Sequence, residues 1–198
     1  MTTREPLNHQ HIMRRAHSRD MRKRLGSTSP FARDSEAAGR QPTWDSESER
    51  IPSPPHIAGR LGIEPGDPVM HTRYRYLADG DPIQLADSYE PIAVTGSTPV
   101  EYPERGPIIG VVARMDFIGV QIDRFVEEVT TRPAMPVEVA ALDLDPRGGR
   151  WVIAIQRTYY AGQTAVETAD IVFPADRYRL VYEVPIDPWS PSDETASS

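Results

Sequence analysis

The chain has 198 residues, of which 38% are hydrophobic and 20 are Pro, so it suits one domain with additional segments that do not pack into a core. The absence of Cys excludes disulfides, thiolate zinc sites and Cys nucleophiles. The sequence contains no apolar run of about 18 residues that would span a membrane and no apolar stretch typical of a secretory signal. We therefore expect a cytoplasmic protein.

Charge is distributed unevenly along the chain. Residues 1–26 carry a net charge of +5, which leaves −12 for residues 27–198 out of the total of −7. A basic segment beside an acidic body is typical either of weak contact with nucleic-acid phosphates or of a solubilising tail. We assign residues 1–29 to a basic flexible arm and residues 187–198 to a disordered tail.

Short helices and a weak strand are predicted ahead of the first hairpin. A helix that begins near residue 31 is expected to end at Gly39, and residues 43–51 alternate weakly, as an edge strand does. A second helix is expected to begin at Pro55 and to stop at Gly62, because Pro suits the first helical turn and Gly the end. The residues expected on its buried face are Ile57, Ala58 and Leu61.

A β-hairpin follows. Residues 69–77 and 82–92 are rich in β-branched and aromatic side chains, which favours strands. The segment between them contains Asp-Gly, a dipeptide typical of tight hairpin turns. Residues 93–106 are rich in Gly, Pro and Thr and are expected to form a loop. This part of the chain therefore predicts two adjacent antiparallel strands.

The second half begins with a predicted amphipathic helix over residues 107–119. Its apolar residues recur at helical spacing, and Gly119 ends it. A strand over 120–132 and a short helix over 136–144 come next, followed by a turn at 145–149. The apolar stripe of the first of these helices is Ile108, Val111, Val112, Met115 and Ile118. Three further strands are predicted over residues 151–161, 163–174 and 177–184.

Two stretches of the sequence resemble each other. The first, RYRYLADGDPIQLADSYEP, covers residues 73–91, and the second, RTYYAGQTAVETADIVFP, covers residues 157–174. In each, Arg and Tyr residues precede a Gly-centred turn, and Ala-Asp precedes Pro. We interpret them as equivalent hairpins in the two halves of the chain. Neither can bury its own apolar face alone, so the two are expected to join into one mostly antiparallel sheet of an α+β domain.

The same stretches carry a family resemblance. LGIEPGDPVMHTRYRYLADGDPIQLADSYEP, FVEEVTTRPAMPVEVAAL and the closing RTYYAGQTAVETADIVFPADRYRLVYEVP resemble the UTRA domain, the effector-sensing domain of the HutC branch of GntR-type transcription regulators. The resemblance covers roughly residues 30–185, and we assign residues 30–186 to this domain. It implies a chorismate-lyase-like fold, with a six-stranded sheet and helices on one side.

The resemblance also implies partners. Relatives carry a winged helix-turn-helix ahead of this domain, but residues before the Leu-Gly motif show no three-helix pattern. We therefore expect the DNA-reading part to be missing here, with the basic arm as a former linker. The domain is expected to form a homodimer, or a heterodimer with full-length relatives, and to bind a small anionic or hydroxylated effector.

A pair of Arg residues is the first candidate for effector binding. Strand alternation places Arg73 and Arg75 on one face, where two guanidiniums could hold a phosphate or carboxylate. The resemblance implies an Arg-x-Arg on this strand in regulators that sense phosphorylated sugars. The interval from Arg75 to Pro82 is one residue longer than in that pattern, and a one-residue slip moves a side chain to the other face. The alternative is a solvated surface ladder.

The second hairpin supplies the other candidates. The resemblance implies that Glu167 accepts hydrogen bonds from ligand hydroxyls, although Phe173 stands where many relatives have Tyr. Arg157 is expected to contact the ligand or to pair with Glu167 across the strands. Gln84 and Asp170 occupy hairpin positions of the same kind. The predicted ligand-binding set is Arg73, Arg75, Gln84, Arg157, Glu167 and Asp170.

Signatures of enzymes are few. Lys23 is the only Lys, which excludes a Walker phosphate loop and a pyridoxal Schiff base from the folded body. The sequence has no Gly-x-Ser-x-Gly motif. We expect no cofactor, no metal and no catalysis. Two alternatives to a sensor stay open: a dimerisation module without a ligand, and a lyase-like enzyme in which Arg73 or Arg75 holds a carboxylate and Glu167 acts as the acid.

Overall fold

A computed structural model describes residues 11–15, 31, 35–36, 38–106, 108–145 and 150–182. Eight strands and four helices lie within these residues. The strands are β1 (His11–Arg15), β2 (Pro42–Pro52), β3 (Pro68–Ala78), β4 (Asp81–Pro91), β5 (Arg124–Pro133), β6 (Trp151–Ala161), β7 (Thr164–Pro174) and β8 (Tyr178–Tyr182). The helices are α1 (Pro55–Leu61), α2 (Ile92–Thr95), α3 (Val111–Phe117) and α4 (Pro136–Ala141).

Six of the strands form one antiparallel sheet in the order β2-β3-β4-β7-β6-β5. This confirms the predicted α+β class and the six-stranded sheet. The membership differs from the expectation in one respect. The segment after β7, predicted as a sheet strand, forms β8 and pairs in parallel with β1, whereas the weakly alternating β2 joins the sheet as its edge strand.

The sheet is built from two equivalent halves. The first half contributes β2, α1, β3 and β4, and the second contributes β5, α4, β6 and β7 in the same order. The halves meet where β4 pairs with β7, with Asp87 directly opposite Asp170. Each hairpin shifts register at a matching point, after Tyr76 in one and after Tyr159 in the other. The repeated stretches are therefore the two central hairpins of one sheet, as predicted.

Local sequence accounts for the turns that shape this sheet. Asp79 and Gly80 both have positive φ (53° and 85°), the conformation that a two-residue hairpin turn with right-handed strand twist requires. α1 begins at Pro55 and ends at Leu61, and Gly62, whose φ is 66°, caps its C-terminus. Ile57, Ala58 and Leu61 are buried in α1, which confirms the predicted stripe.

The two faces of the sheet are covered by different elements. Face A carries Val69, Thr168 and Val172, and is covered by α1 and by the end of α4. Face B carries Ser88, Arg157 and Phe173, and is covered by α3, the loop of residues 96–106, and β8. The helices thus divide between the faces. α3, which packs on face B, lies in the segment that leads from the central strand β4 to the far edge strand β5.

The predicted helix over 107–119 is shorter than expected. α3 begins only at Val111, because Gly110 adopts a φ of 93° that interrupts helical geometry. Its Met115 is fully buried and packs with Val111, Val112 and Ile118, as the periodicity predicted, whereas Ile108 precedes the helix. Strand β5 begins at Arg124 and not at the predicted residue 120, so residues 118–123 connect the two elements.

Several predictions fall at the margins of the described residues. Strand β1 occupies residues 11–15, for which the sequence predicted no element. The rest of the arm at residues 1–29, the tail at 187–198 and most of the turn at 145–149 lie outside the described residues. Within the described part of the chain, no helix has the length and hydropathy needed to cross a membrane.

Candidate functional site: a buried polar cluster on face B

The structure divides the six predicted ligand-binding residues between the two faces of the sheet. Three residues on face A are Arg73, Arg75 and Asp170, and three on face B are Gln84, Arg157 and Glu167. The division follows from strand alternation in the observed register, in which Tyr74 and Tyr76, not the Arg pair, point to face B. The six residues therefore do not form one site.

The Arg pair contributes to a surface ladder with the edge strand. An Nη atom of Arg73 donates to Glu47 at 3.0 Å, and its side chain is 52% exposed. The Nε atom of Arg75 donates to the carbonyl oxygen of Ala141 at 2.9 Å, and its guanidinium lies 3.9 Å from Asp45. This arrangement supports the surface-ladder hypothesis, since the two guanidiniums have protein acceptors.

Asp170 is part of the attachment of α1 to face A. Its Oδ1 accepts a hydrogen bond from Arg60 at 2.7 Å, and the Nε of Arg60 donates to the Thr168 hydroxyl at 2.8 Å. Thr168 is fully buried and also bonds the Thr158 hydroxyl. These contacts give Asp170 a structural role in holding the helix on the sheet.

On face B, five polar residues from four elements form what we call the buried polar cluster: Ser88 and Glu90 (β4), Arg114 (α3), Arg157 (β6) and Glu167 (β7). Ser88 and Arg157 each pair with Ala169 from opposite sides, so they share one row across the sheet. On the same face, Glu90 lies two residues after Ser88 on β4, and Glu167 lies two residues before Ala169 on β7. Alternation and register therefore bring together residues that are remote in the sequence.

Arg114 and Glu90 form a buried two-point ion pair. The distances from Arg114 Nη1 and Nη2 to the two Glu90 oxygens are 2.6 and 2.9 Å, and both side chains are 2% exposed. Arg114 also donates to the carbonyl oxygen of Val100, which ties α3 to the loop. Burial alone would lower the pKa of Arg114, but Glu90 outweighs that effect and raises it. The guanidinium is therefore charged and fixed in place.

Glu167 is buried with one oxygen unsatisfied. Its Oε1 accepts a hydrogen bond from Ser88 at 2.8 Å, whereas Oε2 has no hydrogen-bond partner among the described residues. Burial raises the pKa of Glu167 to about 7, and the negative charge of Glu90 adds to this, while Arg157 opposes it. Near neutral pH this carboxyl group can therefore either donate or accept a hydrogen bond.

Arg157 lies beside Glu167 but pairs with another carboxylate. It is opposite Glu127 in the sheet, 3.8 Å away, and its guanidinium carbon is 4.8 Å from the centre of the Tyr159 ring. Burial tends to lower its pKa, but the neighbouring Tyr159 and Glu167 raise it, so it stays charged. Its Nε has no partner among the described residues. The alternative of a direct Arg157–Glu167 pair is not what the structure contains.

Aromatic residues and Gln84 complete face B near the cluster. The Tyr74 and Tyr76 rings stack with centroids 5.3 Å apart, and burial raises the pKa of both hydroxyls, which stay protonated. Gln84 pairs with Tyr76, and its buried Oε1 has no partner within the described part of the chain. Ala86 and the residues paired with it separate Gln84 from Arg157, so Gln84 lies at the rim of the cluster.

Sequence reasoning missed three members of the cluster that lie outside the second hairpin, Ser88, Glu90 and Arg114, and it did not include the neighbouring Tyr74–Tyr76 pair in the site. One signal was available, because Arg114 lies within the apolar run of a predicted buried helix, where an isolated charge needs a partner. The described residues contain no group of His, Cys, Asp or Glu arranged to hold a metal ion.

Comparisons with known proteins give the class of the molecule. The model of the UTRA domain family matches residues 37–179. A crystal structure assigned to a GntR-family transcriptional regulator aligns with a TM-score of 0.81 and 41% identity, over 93% of this chain and 73% of that chain. No protein with a curated description matches the sequence.

More distant structures share the fold. PhnF from Mycobacterium smegmatis aligns with a TM-score of 0.71 at 18% identity, over 90% of this chain and 73% of that chain. The effector domain of PhnF from the same organism aligns with a TM-score of 0.66 at 21% identity, over 82% of this chain and 98% of that chain. At these identities the two matches show the fold alone.

Fold and comparisons together define an effector-binding regulatory domain of the kind found in GntR-family transcription regulators. The chain belongs to the UTRA domain family, which confirms the resemblance seen in its motifs. Assignment to the HutC branch stays a prediction.

Proposed function

We propose that the chain is the sensor domain of a transcription regulator and that a small polar effector binds at the buried polar cluster on face B. The observation that carries this proposal is the unsatisfied Oε2 of Glu167, next to an Arg157 whose Nε also lacks a partner in the described residues. A buried polar atom without a partner costs about 1–3 kcal/mol. A ligand that offers one donor and one acceptor removes both costs.

The proposed site keeps part of the predicted residue set. Arg157 and Glu167 lie at its centre and Gln84 at its rim, and Ser88, Glu90 and Arg114 position them. Arg73, Arg75 and Asp170 are not included, because their side chains are engaged on face A. A hydroxylated molecule suits this arrangement, since a hydroxyl group can donate to Glu167 and accept from Arg157.

The mechanism we propose is a shift of population between conformations. The cluster joins β4, β6 and β7 to α3, and Arg114 connects α3 to the loop of residues 96–106 through Val100. An effector with higher affinity for one arrangement of α3 and the loop favours that arrangement. In a dimer, the change would alter the spacing of winged helices attached to this domain or supplied by a full-length partner, and so control DNA binding.

The test is a thermal-shift screen of small metabolites against the wild type and two variants. Compounds that raise the unfolding midpoint of the wild type are expected to lose this effect in the Arg157→Gln variant. They should keep it in the Arg73→Ala, Arg75→Ala double variant, which changes only face A. A compound that still stabilised Arg157→Gln but no longer stabilised the double variant would place binding on face A and contradict the proposal.

Two other outcomes of the screen favour the alternatives. Chemical turnover of a hit compound would favour the lyase-like enzyme, with Glu167 as its acid. A screen without any stabilising compound would favour a dimerisation module that binds no effector.

The dimer itself has a candidate surface on the edge strand β5, where Val126 and Val129 are 54% and 44% exposed. Antiparallel pairing of two β5 strands can place Arg124 of one copy opposite Glu128 of the other, so the edge is complementary to itself. Glu128→Arg should then weaken self-association, as measured by sedimentation. An unchanged association constant would exclude this surface.

A further inference from the structure

The charges around the proposed effector site are not balanced. Six ionisable side chains interact across face B: Glu90, Glu104, Arg114, Glu127, Arg157 and Glu167. They come from β4, the 96–106 loop, α3, β5, β6 and β7, and β8 adds the Tyr182 hydroxyl, which donates to Glu127 at 3.2 Å. Four are carboxyl groups and two are guanidiniums. Arg50 and Glu101, at the edge of the same face, pair with each other and so do not change the excess of carboxyl groups over guanidiniums.

Both guanidiniums are already engaged by carboxylates other than Glu167. Arg114 uses both of its Nη atoms on Glu90. Arg157 lies 3.8 Å from a carboxylate oxygen of Glu127. Glu104 accepts a hydrogen bond from the neutral Trp44 Nε1 at 2.8 Å. Among the described residues of face B, Glu167 is therefore the buried carboxyl group that forms no ion pair with a guanidinium.

The geometry of Glu167 points to a missing partner. The residue is 1% exposed, and Ser88 satisfies only Oε1. Oε2 is buried and has no hydrogen-bond partner among the described residues. Loss of solvent contact penalises an ionised Glu167, and the nearby Arg157 offsets that penalty only in part, since burial still raises the pKa of Glu167 to about 7. A counter-charge supplied by a ligand would favour the ionised form.

Aromatic rings line the same region. Tyr159 is directly opposite Glu167 in the sheet and is 8% exposed. The Tyr74 and Tyr76 rings stack on the same face. Besides burial, the charge of Glu90 raises the pKa of the Tyr74 hydroxyl and the charge of Glu167 raises the pKa of the Tyr76 hydroxyl. The faces of aromatic rings attract cations and do not attract anions.

We infer that the effector carries a positive charge, as an amine or amidine group that binds the free oxygen of Glu167 beside the Tyr rings of face B. This inference rests on the proposed function and names the charge class of its ligand. An anionic effector is disfavoured, because it would add negative charge to a site in which carboxyl groups already outnumber guanidiniums. The hydroxylated part of the predicted ligand class is retained.

Matched probes test the charge class directly. Benzylamine, benzyl alcohol and benzoate share one ring and differ in charge, being a cation, a neutral molecule and an anion. Binding to the wild type is measured by NMR titration at low salt. Benzylamine is expected to bind about tenfold more tightly than benzyl alcohol, because hydrogen bonds to a charged group are the stronger ones. Benzoate should bind most weakly.

A charge-neutral variant and a matched control identify the residue responsible. Glu167→Gln keeps the size of the side chain and should abolish the preference for benzylamine. Glu47→Gln removes the same charge from a residue that is 75% exposed on face A and should leave the preference unchanged.

The pH dependence gives a second readout. Burial raises the pKa of Glu167 to about 7, whereas benzylamine stays protonated well above that pH. Binding of the amine should therefore tighten by about tenfold between roughly pH 6 and pH 8, as Glu167 loses its proton. The Glu167→Gln variant should show no such change.

The possible results separate the charge class from the site. Tightest binding of benzoate, lost in Arg157→Gln, would overturn the cationic class and leave the proposed sensor site intact. Tightest binding of benzylamine that survives in Glu167→Gln would also overturn the inference. Absence of binding by all three probes, together with a metabolite screen without hits, would overturn both.

Discussion

The two faces of the sheet contain the same kind of interaction in different surroundings. On face A, Arg73 contacts Glu47 with side chains that are 52% and 75% exposed. On face B, Arg114 contacts Glu90 with both side chains 2% exposed. Water screens the first pair and is excluded from the second. Loss of a charge on face A should therefore cost little stability, whereas a charge on face B needs an oppositely charged partner. This difference explains why face B, and not face A, is a candidate for ligand binding.

The two halves of the sheet offer a second comparison. Gln84 and Glu167 hold equivalent places, each being paired with a Tyr just before the register shift of its hairpin. Both residues leave one buried side-chain oxygen without a partner in the described structure. Beside Gln84, the Phe31 ring packs against its strand partner Tyr76, with ring centroids 4.7 Å apart, whereas the charges near Glu167 are those of Arg157, Glu90 and Arg114. The two similar hairpins therefore differ in the side chains that surround these equivalent positions.

The largest effect is expected from removal of the buried guanidinium. Arg114→Met would leave Glu90 buried without its partner, and the free energy of unfolding should fall by about 3–5 kcal/mol. Chemical denaturation measures this loss. A change below about 1 kcal/mol would mean that face B admits water to Glu90 and that the contrast between the faces is wrong.

A smaller effect, dependent on pH, is expected at Glu167. Burial raises its pKa from 4.5 to about 7 in the folded state. Between these values the folded protein holds a proton that the unfolded chain has lost, so the contribution of Glu167 to stability falls as pH rises through this range. Glu167→Gln should match the wild type below pH 4.5 and exceed its stability above pH 7 by on the order of 3 kcal/mol.

Denaturant unfolding at a series of pH values tests this prediction, with Glu47→Gln as the control that should run parallel to the wild type. If the Glu167→Gln and wild-type profiles also ran parallel, the carboxyl group would be ionised at an ordinary pKa and the site would not be dry.

The smallest effect is expected from the surface ladder. Arg73→Ala and Arg75→Ala should each lower the free energy of unfolding by less than about 1 kcal/mol, because solvent screens their ion pairs. Added salt should reduce even this difference. A loss comparable with that of Arg114→Met would show that face A is as sensitive to charge as face B.

Much of the fold could be predicted from local patterns. Pro55 and Gly62 marked the ends of α1, and Asp79-Gly80 marked the turn of the first hairpin. The repeated stretches located the two hairpins that form the centre of the sheet. The segment after β7 was placed in the wrong sheet, since alternation predicts a strand and does not name its neighbour.

The candidate site was only half predictable. Arg157 and Glu167 were named from the second hairpin, but Glu90 and Arg114 belong to different elements and meet only across the sheet. The Arg73–Arg75 pair was an ambiguous prediction, because a single residue of register decides which face it occupies.

The amino-acid sequence by itself determined the repeated hairpins, the α+β class and the family, because turn residues, alternation and motif order are local properties. The tertiary structure decided which side chains lie on face B and which of them lack partners. Those outcomes depend on strand register and on the segments that fold over the sheet, and both bring together residues that no local pattern connects.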